Sequence, residues 1–310
     1  LLLAATPLMA AAQGYPDRPV RFVVPYPPGG GTDVIARIVQ HKFATLLGQQ
    51  IVIENRGGAG GSVGTEAVAK AAPDGYTVLF TLSSHTINPA IYPRLSYDTV
   101  KDFEPVGLVA SLPQILVANP QFPANTVAEM TAIARSKPGL AFASVGNGSP
   151  GHLAGEMQAL KSGVQLTHIP YKGGGPAVTD VMGGQVPTLW VSIPAAAQFV
   201  KTGKLKALAV STGKRSALTP EIPTMKEAGL PEINNLAWMA VMAPASTPND
   251  IVQRMNQEIN TVLAMPEVKE KLYAQYMEPI GGSVQDLQNF MREELRVMTP
   301  VIKRTGLRID

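Results

Sequence analysis

The chain has 310 residues, of which 45% are hydrophobic and 16% charged. That is enough for two domains with cores of their own, since a single core stops growing at about 250–300 residues. A formal net charge of +3, with no run of Lys and Arg, excludes a nucleic-acid footprint. The absence of cysteine excludes disulfides, thiolate catalysis and cysteine-based zinc sites.

The first stretch, "LLLAATPLMAAAQ", is uncharged, mostly apolar and closes on small residues. Ala10-Ala11-Ala12 fits the small-x-small rule for signal-peptidase cleavage, so residues 1–12 read as a signal-peptide remnant and Gln13 as the mature start. No other apolar run approaches the ~20 residues of a membrane span. The expected product is exported to the periplasm and soluble.

From there strand-like runs alternate with helical patterns. Strands are expected over 20–25, 51–55, 76–82, 115–119, 140–145, 164–169, 186–192 and 205–211. Helical patterns cover 33–47, 64–72, 126–136, 152–161, 176–182 and 194–201, and three more close the chain at 250–264, 266–276 and 283–299. Such alternation, with many strands continuously apolar, predicts parallel sheets covered by helices. "ILVANPQFPANTVAEM" and "MAVMAPASTPNDIVQRM" share one plan: apolar strand, proline, short loop, capped helix. Read as the two places where the chain crosses between lobes, they give a first lobe over 13–117, an inserted lobe over 118–240, and a return over 241–310. The fold class is α/β: two lobes joined by two crossover strands, with a ligand cleft between them.

The first glycine turn, "VPYPPGGGTDVIAR", carries a strand into a helix. Free N–H groups at a helix start suit an anion. Further on, "GGSVG" is a formal G-x-S-x-G, but its strand ends near Asn55, so Ser62 reads as a helix N-cap and not a nucleophile. "GNGSPG" (146–151) matches G-x-G-x-x-G, yet no acid stands about 20 residues on to hold a ribose. No Gly-Lys-Ser/Thr follows either loop, which removes a P-loop. His152 and Glu156 stand i, i+4, but no second close pair of ligands accompanies them. What remains is a matched pair of features, "VPYPPGGGTD" and "ASVGNGSPGH", each a strand-to-helix turn at the ligand-binding edge of its sheet. Two helix N-termini facing each other across a cleft would hold a small carboxylate by backbone donors, without Arg or Lys.

The motifs "YPDRPVRFVVPYPPGGGTDVIAR", "IVIENRGGAGGSVGTEAVAKAAPDGYT", "SYDTVKDFEPV", "SVGNGSPGHLAGE", "HIPYKGGGPAVTDVMGGQVP" and "APASTPNDIV" resemble those of the substrate-binding proteins of tripartite tricarboxylate transporters, the Bug receptors. They run in the family's order over nearly the whole mature chain. The resemblance implies a fold similar to type II periplasmic binding proteins. It also implies ligands among citrate, dicarboxylates, acidic amino acids, nicotinate and aromatic acids, held partly through ordered waters.

Its first loop falls on Pro25, Tyr26, Gly29, Gly30 and Asp33, and the intervening Pro27, Pro28, Gly31 and Thr32 join it. Its second falls on Ser144, Gly146, Gly148, Ser149 and His152, with Asn147 between them. Ser83, Ser84, Tyr171, Trp190 and Ser192 are implied as the side chains that select the ligand. Asp33 reads as a first-turn residue favoured by the dipole or as an orienter of its loop. Arg56 reads as a competitor for the ligand's charge or an anchor of its own glycine loop. The expectation is a monomeric receptor with no cofactor, metal or nucleic-acid partner, which delivers a carboxylate to membrane transporter subunits or a sensor. The rival is a secreted α/β hydrolase or lyase acting on a carboxylated substrate, which would need a nucleophile and base within hydrogen-bond reach.

Overall fold

The computed structural model describes residues 14–306 apart from Pro27, Gly30, Pro93, Gly148, Lys172, Gly173, Ala217, Leu218, Asn235 and Leu236. The expected cleavage segment and Gln13, like Pro27, Gly30 and Gly148 of the two glycine loops, lie outside the described residues.

Alternating faces build the first sheet. In β1 (Val20–Val24), Val20, Phe22 and Val24 point to one side, where Phe22 meets Phe43 of α1 (Gly31–Leu47) with ring centroids 5.5 Å apart. Val23 points to the other side, against a second cluster around Trp238 and Leu287. Helix α1 buries Ile35, Ala36, Val39, Phe43 and Leu47, the one-sided spacing of a helix laid on a sheet. There follow β2 (Ile51–Asn55), α2 (Ser62–Ala69), β3 (Thr77–Leu82), α3 (Ser84–Ile91) and β4 (Phe103–Ser111).

The chain then enters a second sheet. Its elements are β5 (Gln114–Ala118), α4 (Val127–Ser136), β6 (Leu140–Ser144), α5 (Pro150–Ser162), β7 (Leu166–Pro170), α6 (Gly174–Met182), β8 (Thr188–Ser192), α7 (Ile193–Lys201) and β9 (Lys206–Val210). Finally β10 (Trp238–Pro244), α8 (Asn249–Ala264), α9 (Pro266–Ala274), β11 (Glu278–Pro279) and α10 (Val284–Thr305) complete the molecule.

The first sheet runs β11-β4-β10-β3-β1-β2 and the second β7-β6-β8-β5-β9. Neither is purely parallel, as the alternation alone predicts. β10 is antiparallel to β3 and β4, and β5 is antiparallel to β8 and β9. The reason is directional. Each of these strands enters its sheet from the other one, at the edge where the parallel strands end, and so must run backwards through it. All five residues of β5 pair within the second sheet, so the first crossing lies at Leu112–Pro113 and not at 117. All seven residues of β10 pair within the first, which puts the return before Trp238 and not at 240.

The closing segment also departs from an assignment to the first lobe alone. Helix α10, started by a capping box between Ser283 and Asp286, packs Leu287 and Met291 against Trp238 and Val23 of the first sheet. Its second half packs Val297, Met298, Val301 and Ile302 against Leu153 and Met157 of α5. One helix therefore spans both halves.

At the middle of α10 the buried Glu294 carboxyl meets the Thr86 hydroxyl (2.7 Å) and the Trp238 indole N–H (2.7 Å). Thr86 also lies 2.9 Å from the Ser83 carbonyl, and a hydroxyl has one proton to give. A protonated Glu294 donating to Thr86 satisfies all three contacts, and burial pushes its pKa up to about 8. The folded protein then holds a proton that the unfolded chain releases above about pH 4.3. Stability conferred by this group is therefore full at low pH, declines as pH rises toward 8, and is level above it. Glu294→Gln is expected to flatten that slope, which melting temperatures from pH 5 to 9 will read.

Candidate functional site

The site is built from strand ends and helix starts. After β1 the chain turns through Gly29, whose φ of +77° is costly for other residues. The Gly29 N–H donates to Asp33 in the first turn of α1 (2.8 Å). Asp33 also accepts from Arg37 Nε (3.0 Å) and Asn55 Nδ2 (3.0 Å), and Asn55 donates in turn to the Tyr26 carbonyl (3.1 Å). The Arg37 guanidinium comes first among the groups that hold the Asp33 carboxyl below its ordinary range. Asp33 is only 2% exposed; its charge is spent on its own loop, the second of the two readings its position allows. The Tyr26 hydroxyl bonds that of Ser84 at the start of α3, and burial, outweighing the lowering effect of that bond, pushes its pKa up to about 12.

The second loop is braced in the same way. Ser149 caps α5 by accepting from the His152 N–H (3.2 Å), while its hydroxyl donates to the Gly146 carbonyl (2.7 Å). The Ser144 hydroxyl lies 2.6 Å from His168 Nε2 and accepts from the Gly146 N–H (3.2 Å). His168 stacks on His152 with centroids 3.8 Å apart. Burial, then the neighbouring His152, lowers the His168 pKa to about 4, so His168 is neutral at physiological pH. His152 Nε2 stands 3.9 Å from Glu156, and among the described residues no three His, Cys, Asp or Glu gather as a metal site.

Between the halves lies a cavity of about 520 Å³, within the range of about 300–1,000 Å³ typical of small-molecule sites. Four helix beginnings reach it: Gly31 and Thr32 of α1, Gly60 in the turn before α2, Ser83 and Ser84 at α3, and Asn147 and Pro150 at α5. Of the residues expected to bind, Gly31, Thr32, Ser83, Ser84 and Asn147 line this cavity, which brings the two glycine loops to one place. Tyr26, Asp33, Ser144, Gly146, Ser149 and His152 stand behind that lining and fix it, and Pro28 and Gly29 form the exposed rim of the first turn.

Other expectations are corrected. Trp190 is fully buried and its indole donates to Gln158 (3.1 Å), so it packs in the core and faces no ligand. Tyr171 turns its hydroxyl to Asp180 (2.7 Å), and Ser192 stands before α7; neither lines the cavity. Ser62 is the first residue of α2, after Gly61, and its hydroxyl donates back to Ala59. Arg56 pairs with Glu54 (3.4 Å) and does not line the cavity.

The lining that sequence reasoning missed is mostly apolar. Ile87, Asn88, Ile91 and Tyr92 come from α3 and its end, while Leu82, Leu112, Trp238, Met239 and Met277 come from strand ends. Asn88 aside, their only sequence signal is apolarity, which core residues share. No Lys, Arg, His, Asp or Glu lines the cavity among the described residues. The arrangement offers backbone and hydroxyl donors beside an apolar wall, with several helix dipoles turning their positive ends to one volume. Each dipole contributes about 0.3–1 kcal/mol toward an anion.

Comparison with known proteins agrees with this geometry. The model of the tripartite tricarboxylate transporter family receptor matches residues 35–307. Protein BugT of Bordetella pertussis is 38% identical over 96% of this chain and 93% of its own. A TctC solute-binding protein from Polaromonas, solved without ligand, superposes with a TM-score of 0.87 at 29% identity, over 94% of this chain and 99% of its own. An R. palustris protein solved with adipate gives 0.69 at 35% identity, over 94% and 98%. With two α/β halves, a cleft bounded by glycine turns and a match along most of its length, this chain belongs to the tripartite tricarboxylate transporter receptor family.

Proposed function

We propose that this chain is a periplasmic receptor that captures a small carboxylate between its two halves and hands it to membrane transporter subunits. The observation that carries the reading is the convergence of the α1, α3 and α5 beginnings on one uncharged cavity. The carboxylate would sit against the first-turn N–H groups of α1, near Thr32, and the hydroxyls of Ser83 and Ser84, with Asn147 and the α5 start closing from the other side. Tyr26 and Asp33, and Ser144, Ser149 and His152, act by holding those donors in place. Adipate in the R. palustris relative supports a carboxylate as the ligand class. The family to which the chain belongs supports delivery to a transporter, and the uncharged start closed by Ala10-Ala11-Ala12 supports export.

The hydrolase rival turns on Ser144 and His168, which do lie within hydrogen-bond reach at 2.6 Å. Ser144 is fully buried, however, and bonded to its own loop. A histidine with a pKa of about 4 is a weak base at neutral pH. The pair shapes the second loop.

Thermal shift against a panel of carboxylic acids and nucleotides tests the reading. At about 1,000 times its dissociation constant a ligand adds about 4.1 kcal/mol, a rise of roughly 10 °C for a protein of this size class. Protein refolded from denaturant removes any acid carried through purification. A shift with NAD or ATP and none with any acid overturns it.

A further inference from the structure

We propose that the cavity selects a monocarboxylate with an elongated apolar body, its carboxylate against α1 and α3 and its tail running beneath β10 and β4 toward Met277. The inference rests on the carboxylate reading above and specifies which carboxylates fit.

The order of the first sheet lays out the path. From β1 outward the strands run β1, β3, β10, β4, β11, and each contributes lining at the same edge. The β1 end leads into Gly31 and Thr32, and the β3 end supplies Leu82 and Ser83. Beyond Ser83 the lining along this edge is apolar: Ala237, Trp238 and Met239 at β10, Leu112 after β4, and Met277 before β11. The one polar side-chain atom of Trp238, its indole N–H, is given to Glu294 (2.7 Å), so this residue brings no free polar side-chain group to the path. The Asn88 amide donates to the Gly60 carbonyl (3.1 Å) at the polar end. Three strand spacings from β3 to β11 cover about 14 Å.

A dicarboxylate laid along this path places its second charge among Leu112, Met239 and Met277. Among the described lining residues no cation meets it there, and an unpaired charge removed from water is strongly disfavoured. The ionisable residue next to Met277 is Glu278, which carries the same sign and bonds Ser216. An apolar tail meets none of these penalties.

Titration calorimetry on the whole chain with linear monocarboxylates from butanoate to decanoate, the matching α,ω-dicarboxylates and citrate will test this. Affinity for the monocarboxylates is expected to rise about fourfold per methylene, the equivalent of about 0.8 kcal/mol per buried CH₂, until the path is full. Each diacid is expected to bind at least tenfold more weakly than the monoacid of equal length. Leu112→Trp, which shortens the path, should weaken the long acids more than the short ones, with circular dichroism to report a folded protein. Met277→Lys, which sets a cation at the far end, should move the preference toward diacids.

Diacids or citrate binding as tightly as matched monoacids overturn the proposal while leaving the receptor reading intact. So does a Leu112→Trp variant with an unchanged length dependence. If no acid in either series binds, this proposal falls, and the receptor reading falls with it only when the wider acid panel is also silent.

Discussion

Asp33→Ala is expected to lower stability by about 3 kcal/mol and carboxylate affinity roughly 100-fold. The stability loss follows from the buried carboxylate's bonds to Gly29, Arg37 and Asn55, since hydrogen bonds to charged groups contribute about 1.5–3 kcal/mol each and their orphaned partners add a desolvation cost. Part is recovered because the half-exposed Arg37 side chain regains water. The affinity loss is separate. Without Asp33 the turn at Gly29 is no longer tied to the helix start, and the N–H groups of Gly31 and Thr32 lose their common aim. Two decades correspond to about 2.7 kcal/mol, the scale of one or two charge-assisted bonds.

The same residue gives a pH signature of definite sign. Its pKa is lowered in the folded state, so its contribution is present above the unfolded value of about 3.9 and is lost as pH falls through the folded one. Wild type should lose stability on acidification below about pH 4 more steeply than Asp33→Ala, as paired urea titrations at pH 3 and 6 will show. Equal slopes would count against the buried-carboxylate account, and unchanged affinity against the donor account.

A methyl group should suffice for the second large effect. Gly151 lies in the first turn of α5, and a Cβ there would stand 2.5 Å from the Trp190 carbonyl oxygen. That atom belongs to the backbone of β8, so the helix start must move and not a side chain. Overpacking of this kind costs about 1–3 kcal/mol. The displaced part carries Asn147 and Pro150, the second half's share of the described cavity lining. Gly151→Ala is therefore expected to remain folded, by circular dichroism, and to bind carboxylate at least tenfold more weakly, about 1.4 kcal/mol. Gly163→Ala, at the other end of α5 with nothing within 4 Å of a new Cβ, is the control for a glycine change that leaves the cleft alone, although its φ of +63° carries a strain of its own.

Much of this architecture was legible because its signals are local. The apolar runs at 20–24 and 51–55, and the one-sided spacing from Ile35 to Leu47, mark their elements without reference to anything distant. Elements that broke a local rule were missed. β4 contains Pro105, tolerated beside a register shift in its pairing with β10, and α3 is an eight-residue helix with Pro89 inside it. Missing α3 hid Ile87, Asn88, Ile91 and Tyr92, and so one wall of the cavity.

The binding loops could be read because glycine, proline and hydroxyl residues adjoin one another there. The apolar wall could not, since Leu112, Trp238 and Met277 are brought together only by sheet order. Trp190 and Trp238 show the limit of residue type as a guide. Both are fully buried tryptophans, yet Trp190, in the middle of β8, donates to Gln158 and stays off the cavity, whereas Trp238, at the start of β10, donates to Glu294 and belongs to its lining.

The span of α10 across both halves bears on the order in which the molecule acquires its structure. The Thr86–Glu294 bond joins residues 208 positions apart, and the cluster around Leu153 and Met157 includes Val301 and Ile302. A chain that appears N-terminus first can assemble sheet pairs early, but their apolar undersides stay uncovered until the final twenty or so residues arrive. Contacts of such long sequence separation make for slow acquisition of the native state. They also prevent either half from finishing alone. Cutting the chain ahead of α10 should leave a collapsed, dye-binding, protease-sensitive species instead of a weakened receptor, because the same helix that seals the one half seals the other.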